Sequence, residues 1–113
     1  MLARKYHLRN KSDFDALKAS GKKLSSESFT VIYKDNPKSE VPRFGFIISK
    51  KISNHASVRN KSKRALSEGA RRSTSVLNRN IDCLFLAKPI IVKKYTNELM
   101  KEVEQALIKL SKE

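Results

Sequence analysis

Hydrophobic and polar positions along this chain follow two rhythms. FTVIY (29–33) is aromatic and β-branched throughout, and RFGFIIS (43–49) follows it after the turn-forming run DNPKSEVP, so both are predicted strands. IDCLFLAKP (81–89) is a near-continuous apolar run closed by Pro89, the pattern of a central strand covered on both faces. A helical rhythm governs the rest. Ser12 precedes DFDALKAS with Asp15 three residues on, which predicts a capped first helix carrying Phe14 and Leu17 on one face and stopping at Gly21. A second helix is predicted from near residue 57. A third is predicted from a cap at Thr96, with Leu99, Val103, Ala106, Leu107 and Leu110 as its apolar stripe. A short extra strand is expected near residues 22 to 26. The order α-β-β-(β)-α-β-α, read as one domain over residues 1–113, is that of an α+β fold, a two-layer α/β sandwich of helices against a small sheet. Residues 1 to 10 are expected to be flexible.

Projected as a helix at about 100° per residue, residues 57 to 77 separate into two sides. Val58, Ser62, Ala65, Leu66, Gly69, Ala70, Val76 and Leu77 fall on one, and so many small residues predict close packing against the sheet. Asn60, Lys63, Arg64, Ser67 and Arg71 fall on the other, where Arg64 is expected to pair with Glu68 at i+4. Lys50 and Lys51 enlarge the basic patch from the end of the preceding strand. A face meant only for water mixes its signs, whereas this one is predicted to meet phosphates. Arg59 and Arg64 would fork onto phosphate oxygens, Lys63 would supply a point charge, and Asn60 would read a base edge or a 2′-hydroxyl.

Composition points the same way. Among 113 residues, 25 Lys and Arg face 11 Asp and Glu, a formal charge of +14 that repels itself unless a polyanion accepts it. Nucleic acid is the commonest such partner. An acidic membrane is the weaker alternative, for the chain has no apolar run of about eighteen residues and no lipidation signal. The start MLARKYHLRNK is basic but lacks the apolar stretch of a signal peptide. A single cysteine, Cys83, excludes an intramolecular disulfide and a cysteine-based zinc site, so a cytoplasmic protein is expected.

Candidate chemistry is sparse. His7 and His55 are the only histidines, and a metal-independent ribonuclease could use such a pair; contact with RNA, or no role, is the alternative. Asp13, Asp15 and Asp82 are scattered, without the spacing of a metal carboxylate site. Cys83 inside an apolar strand reads as a small buried hydrophobe. Phe44-Gly45-Phe46 resembles the strand motif of RNA recognition motifs, where alternate aromatics stack on bases. A domain that opens with a helix instead favours Phe44 and Phe46 as core, with Gly45, Ile47 and Ser49 facing the opposite way.

The run FGFIISKKISNHASVRNKSKRALSEGAR resembles the signature of the bacterial ribonuclease P protein subunit. There a strand ending in a Lys-Lys pair, here Lys50-Lys51, leads to an Arg-Asn-Arg helix, here Arg59-Asn60 followed by Lys63-Arg64. Phe14, Gly21, FTVIY, DCLFLAKP and the closing amphipathic helix fit in order, so the resemblance spans nearly the whole chain. It departs from the pattern at Lys61, which keeps charge but loses the bidentate fork, at Ser67, where an arginine is frequent, and at Lys18, where a second aromatic is frequent.

The resemblance implies an α/β sandwich with a left-handed βαβ crossover, against the common handedness. It implies that the RNA partner is the catalyst, using Mg2+ to release the 5′ leader of precursor tRNA. The protein, a monomer before assembly, would bind no cofactor itself, contribute no catalytic residue and act as a clamp. Lys50, Lys51, Arg59, Asn60, Lys61, Lys63, Arg64 and Arg71 would dock on the catalytic RNA. Phe14, Lys18, Thr30 and Ile32 would line a leader cleft between the first helix and the sheet. Phe14 would either stack on a leader base or anchor its helix as core. Phe29, Val31 and Tyr33 form the stronger core set on their strand. Two other readings stand beside this one: a general RNA-binding domain, such as a ribosomal-RNA binder, and a small protein-only endoribonuclease using His7 and His55.

Overall fold

The computed structural model describes residues 2–77 and 79–113. Its four strands, β1 (Lys22–Ser25), β2 (Phe29–Asp35), β3 (Arg43–Ile47) and β4 (Ile81–Ala87), form one sheet in the order β1-β2-β4-β3. β2 is antiparallel to both β1 and β4, while β3 joins β4 in parallel. Parallel neighbours need a crossover rather than a hairpin, and α2 (Ala56–Ser73) supplies it. The other helices are α1 (Lys11–Ser20) and α3 (Thr96–Ser111).

Strand parity sends side chains into two cores. Phe29, Val31 and Tyr33 of β2, Phe44 of β3, and Cys83 and Phe85 of β4 pack beneath α2 and α3. Phe85 sits centrally, edge-on to Phe29 at 5.1 Å between ring centroids and 5.3 Å from Phe46. Phe44 is buried in this core and Phe46 half-buried against it, so both aromatics serve packing. On the other face Leu8, Leu17, Ile32 and Leu84, flanked by Phe14, Ile47 and Leu86, form a smaller core under α1. The helix-on-sheet sandwich is therefore built from α2 and α3, and α1 covers part of the second face. β4 is central and buried from Ile81 to Phe85.

The small side of α2 has a partner the projection does not supply. It meets α3 as well as the sheet: a Cβ at Gly69 would stand 3.0 Å from both Met100 Cα and Val103 Cβ. The helix ends at Ser73 and tightens into a 3-10 turn over Thr74–Val76. Thr74 Oγ1 donates to the Ala70 carbonyl at 2.7 Å, a local bond that competes with the helical ladder. Leu77 is consequently buried, whereas Val76, expected on the apolar side, is exposed.

Three expectations about the chain's ends and caps are corrected. Residues 2 to 10 are held down rather than loose, because Leu2 plugs the main core, Leu8 plugs the α1 core, and Leu8 N–H donates to the Phe44 carbonyl at 2.9 Å. The N-cap of α1 is Asn10 and not Ser12, with the Asp13 and Phe14 amides donating to its backbone carbonyl. Tyr95, not Thr96, precedes α3; its backbone N–H donates to Glu98 Oε1 at 2.9 Å, one half of a capping box.

Candidate nucleic-acid interface

The outer face of α2 carries Asn60, Lys61, Lys63 and Arg64, all exposed, and Lys50 and Lys51 stand exposed in the turn after β3. Among the described residues none of these five cations has a carboxylate partner. The expected Arg64–Glu68 pair is not formed. Arg64 Nε makes only a 3.4 Å bond to the Asn60 carbonyl, while Glu68 is engaged by Arg71 and by Arg72 Nε at 3.4 Å. Helix orientation explains the choice, since a glutamate pairs better with a cation that follows it than with one that precedes it. The Arg71 hydrogen bond holds the Glu68 carboxyl down at about 2. Arg71 is thus already compensated, unlike Lys61, Lys63 and Arg64.

Arg59 is also occupied. It is half-buried, and its Nη1 donates to the Ser53 carbonyl at 2.8 Å, bracing the loop that presents Lys50 and Lys51. One nitrogen of its guanidinium is thus engaged within the protein, whereas the reading from sequence has Arg59 fork onto phosphate oxygens.

The residues expected around a second cleft divide. Phe14 is half-buried, with its ring over Gly45, where a Cβ would come within 2.7 Å of Phe14 Cε1. Lys18 is exposed on α1 and Thr30 half-buried on the adjoining sheet face. Ile32 is a correction: it is sealed in the α1 core with Leu17, and a Cβ at Gly21 would come within 2.6 Å of its Cγ2. The C-terminal end of α1 covers it, so it cannot wall an open cleft. Half-exposed Leu86 and Ile47 flank Phe14 on that face; sequence reading turned Ile47 toward it but named neither as lining a cleft.

The catalytic candidates are not assembled. His7 is half-buried and donates from Nε2 to the Leu2 carbonyl at 3.1 Å, beside the start of β3; His55 is exposed beyond the other end of that strand, at the start of α2. Asp13 and Asp82, which looked scattered, converge on Arg43 from α1 and β4, while Asp15 stays exposed. Burial pushes the Cys83 thiol well above its ordinary range, which removes it as a nucleophile. Among the described residues no group of three or more His, Cys, Asp or Glu could hold a metal ion, and no helix is long and apolar enough to cross a membrane. A cavity of about 360 Å³ lies against β3, lined by His7, Phe14, Gly45, Asn60, Lys63 and Arg64 among others. These residues come from four separate stretches of chain, so no sequence spacing reveals it.

Fold and face together define a class: a small basic α+β protein whose exposed helix offers a polyanion cations that, among the described residues, have no carboxylate partner. The ribonuclease P family model matches residues 2–111, and the chain belongs to that family. It is 36% identical over 101 residues to the ribonuclease P protein component of Nitrosococcus oceani, covering 89% of this chain and 83% of that one. To the corresponding Cyanothece protein it is 30% identical over 122 residues, covering 95% and 93%. In fold it is similar to the RNase P proteins of Staphylococcus aureus (TM-score 0.83, 24% identity, 95% of each chain) and Thermotoga maritima (TM-score 0.81, 24% identity, 91% and 96%). It is accordingly a protein subunit of the ribonuclease P ribonucleoprotein endoribonuclease, the reading these relatives favour over a general RNA-binding domain.

Proposed function

We propose that the cationic face of α2 and the Lys50-Lys51 turn dock on the ribonuclease P RNA, while the flank of α1 holds the single-stranded 5′ leader of precursor tRNA. The observation that carries this reading is the set of five exposed cations without carboxylate partners. Each that meets a phosphate releases condensed counterions, a gain unavailable to cations already paired within the protein. Lys61, Lys63 and Arg64 make the direct contacts, Arg59 shapes the loop and Arg71 contributes less. Phe14, Lys18 and Thr30, with Leu86 and Ile47 in place of Ile32, form the leader surface.

The chain supplies electrostatics and positioning. Mg2+ held by the RNA supplies the hydrolytic chemistry, while Asp82 and Glu68 of this protein serve structural pairs with Arg43 and Arg71. It acts in the cytoplasm and is a monomer before assembly.

The test is cleavage of precursor tRNA by a bacterial ribonuclease P RNA at low magnesium, with and without one equivalent of the protein, beside a protein-only lane. Cleavage only with both components is expected. An unchanged rate in the presence of bound protein would make it a generic RNA binder, and cutting in the protein-only lane would make it an enzyme in its own right.

A further inference from the structure

We propose that the groove between β1 and α3 is a docking site for an extended, acidic segment of a partner protein, which adds to the sheet as a further strand. The surface lies apart from the RNA-docking face, because β1 and β3 form opposite edges of the sheet. Among the described residues β1 pairs with β2 alone, so one side of its backbone is open. Alternation decides which groups are left over. Ser26 N–H donates to the Phe29 carbonyl at 2.8 Å, next to the Ser25–Thr30 register pair. Leu24 and Lys22, at even spacing from Ser26, therefore turn their main chain toward β2, and the N–H and C=O of Lys23 and Ser25 face outward. An edge of this kind is where an extended peptide gains main-chain hydrogen bonds.

The surroundings decide what the added strand must carry. α3 forms the second wall of a groove of about 370 Å³, whose lining includes half-buried Leu24 and the small side chain of Ala106. That leaves room for an apolar side chain from every second residue of an incoming strand. The carboxylates of the groove are engaged within the fold. Glu27 pairs with Lys94, Glu98 Oε1 accepts from the Tyr95 N–H at 2.9 Å, and Glu102 Oε2 accepts from the Ser28 N–H at 2.8 Å and from the Ser26 hydroxyl. Lys22, Lys23, Lys101 and Lys109 are exposed and, among the described residues, have no carboxylate partner. The charge offered to a partner is thus positive, and the residues between the apolar ones suit glutamate and aspartate. The same lysines keep copies of this chain apart, since β1 laid against β1 sets like charges opposite one another. A nucleic acid could answer the lysines but not the alternating main-chain donors and acceptors of Lys23 and Ser25.

The experiment titrates the isotope-labelled, full-length protein with a peptide of about eight residues that alternates valine and glutamate, long enough to span a typical strand. Separate arms use a valine–lysine peptide, the valine–glutamate peptide N-methylated at its valine or at its glutamate amides, and a single-stranded uridine oligonucleotide. Saturable amide shifts at Lys23, Leu24 and Ser25 are expected, with hydrogen exchange at the Lys23 and Ser25 amides slowed at least about tenfold at saturation. One of the two N-methylated peptides should bind at least about tenfold more weakly, because only one set of its amides faces β1. Reversing charge on α3 with Lys101→Glu and Lys109→Glu together should weaken binding at least about fivefold and improve binding of the valine–lysine peptide. Ser25→Pro removes an outward N–H without touching the pairing with β2, and should weaken binding about fivefold. Cleavage of precursor tRNA with ribonuclease P RNA should stay unchanged in that variant and in the presence of the peptide. Equal affinity for the two charge types would overturn the acidic preference. Uridine oligonucleotide shifting the same amides as strongly would make the edge an RNA surface instead, and protection that grows with protein concentration alone would assign it to a second copy of the chain. Unmoved Lys23 and Ser25 amides would remove the site, and peptide that slows cleavage would place it on the RNA-docking face.

Discussion

Arg43 grips Asp82 on the neighbouring strand with two nitrogens, Nε on Oδ1 and Nη2 on Oδ2, each at 2.9 Å. The two residues are register partners in the parallel β3–β4 pairing, and Asp82 is only 7% exposed. Asn36 Nδ2 donates to the same carboxylate at 3.1 Å, and Asp13 of α1 approaches the guanidinium at 3.4 Å. One buried ion pair thereby fastens α1, the sheet and the loop before β3 to one another.

Removing one partner of a buried pair strands the other charge, which is the costly case. Arg43→Ala is expected to lose about 3 kcal/mol in urea denaturation. Arg43→Lys should recover only part of this, because an ammonium cannot reproduce the bidentate fork. A loss below about 1 kcal/mol for the alanine variant would show that water compensates Asp82.

Gly69 sets the spacing of α2 and α3. Gly69→Leu must displace Met100 backbone and Val103, an overpacking expected to cost about 1–3 kcal/mol and to lower the thermal midpoint. RNA affinity measured well below that midpoint should change little, since Asn60 and Lys63 lie on the β3 side of α2.

The slope of log affinity against log salt should separate paired from unpaired cations. Lys63→Ala and Arg64→Ala are each expected to reduce it by about 0.7–0.9, the share of one phosphate contact. Arg71→Ala should reduce it far less, because Glu68 already compensates Arg71. An equal loss in all three would mean that Glu68 releases Arg71 on binding.

Tyr33 donates its hydroxyl to the Glu113 carboxylate, and this bond first, then burial, pushes the phenol from 10.0 up to about 12. A raised value means the folded state favours the protonated phenol, so the stabilisation is complete below about pH 10 and lost as pH rises toward about 12. Tyr33→Phe should cost about 1 kcal/mol at neutral pH. The gap between parent and variant in denaturation experiments should narrow across that alkaline window, and a constant gap would exclude the Glu113 bond as its source.

Much of this architecture was legible from local pattern. β-Branched and aromatic runs gave β2, β3 and β4; parity put Phe44 and Phe46 on one face and Gly45 on the other, and a domain opening with a helix favoured the aromatics as core. The cationic side of α2 followed from helical projection. What escaped depends on partners distant in sequence. Leu2 and Leu8 show no periodicity, so nothing local announces that each enters a different core. Asn10 and Ser12 are both competent caps, and only the backbone geometry chooses between them. The occupation of Arg59 by Ser53 and of Arg71 by Glu68 is a matter of rotamers, and the cavity exists only once four segments meet.

Cys83 is fully buried with its thiol pushed well out of the reactive range, and it is the protein's sole cysteine. The native fold therefore shields it from alkylating dyes, so a cysteine engineered at any exposed position becomes a unique attachment point without first replacing the natural one. Modification of Cys83 itself then registers only molecules whose central strand has come apart, which makes this thiol an intrinsic clock for unfolding.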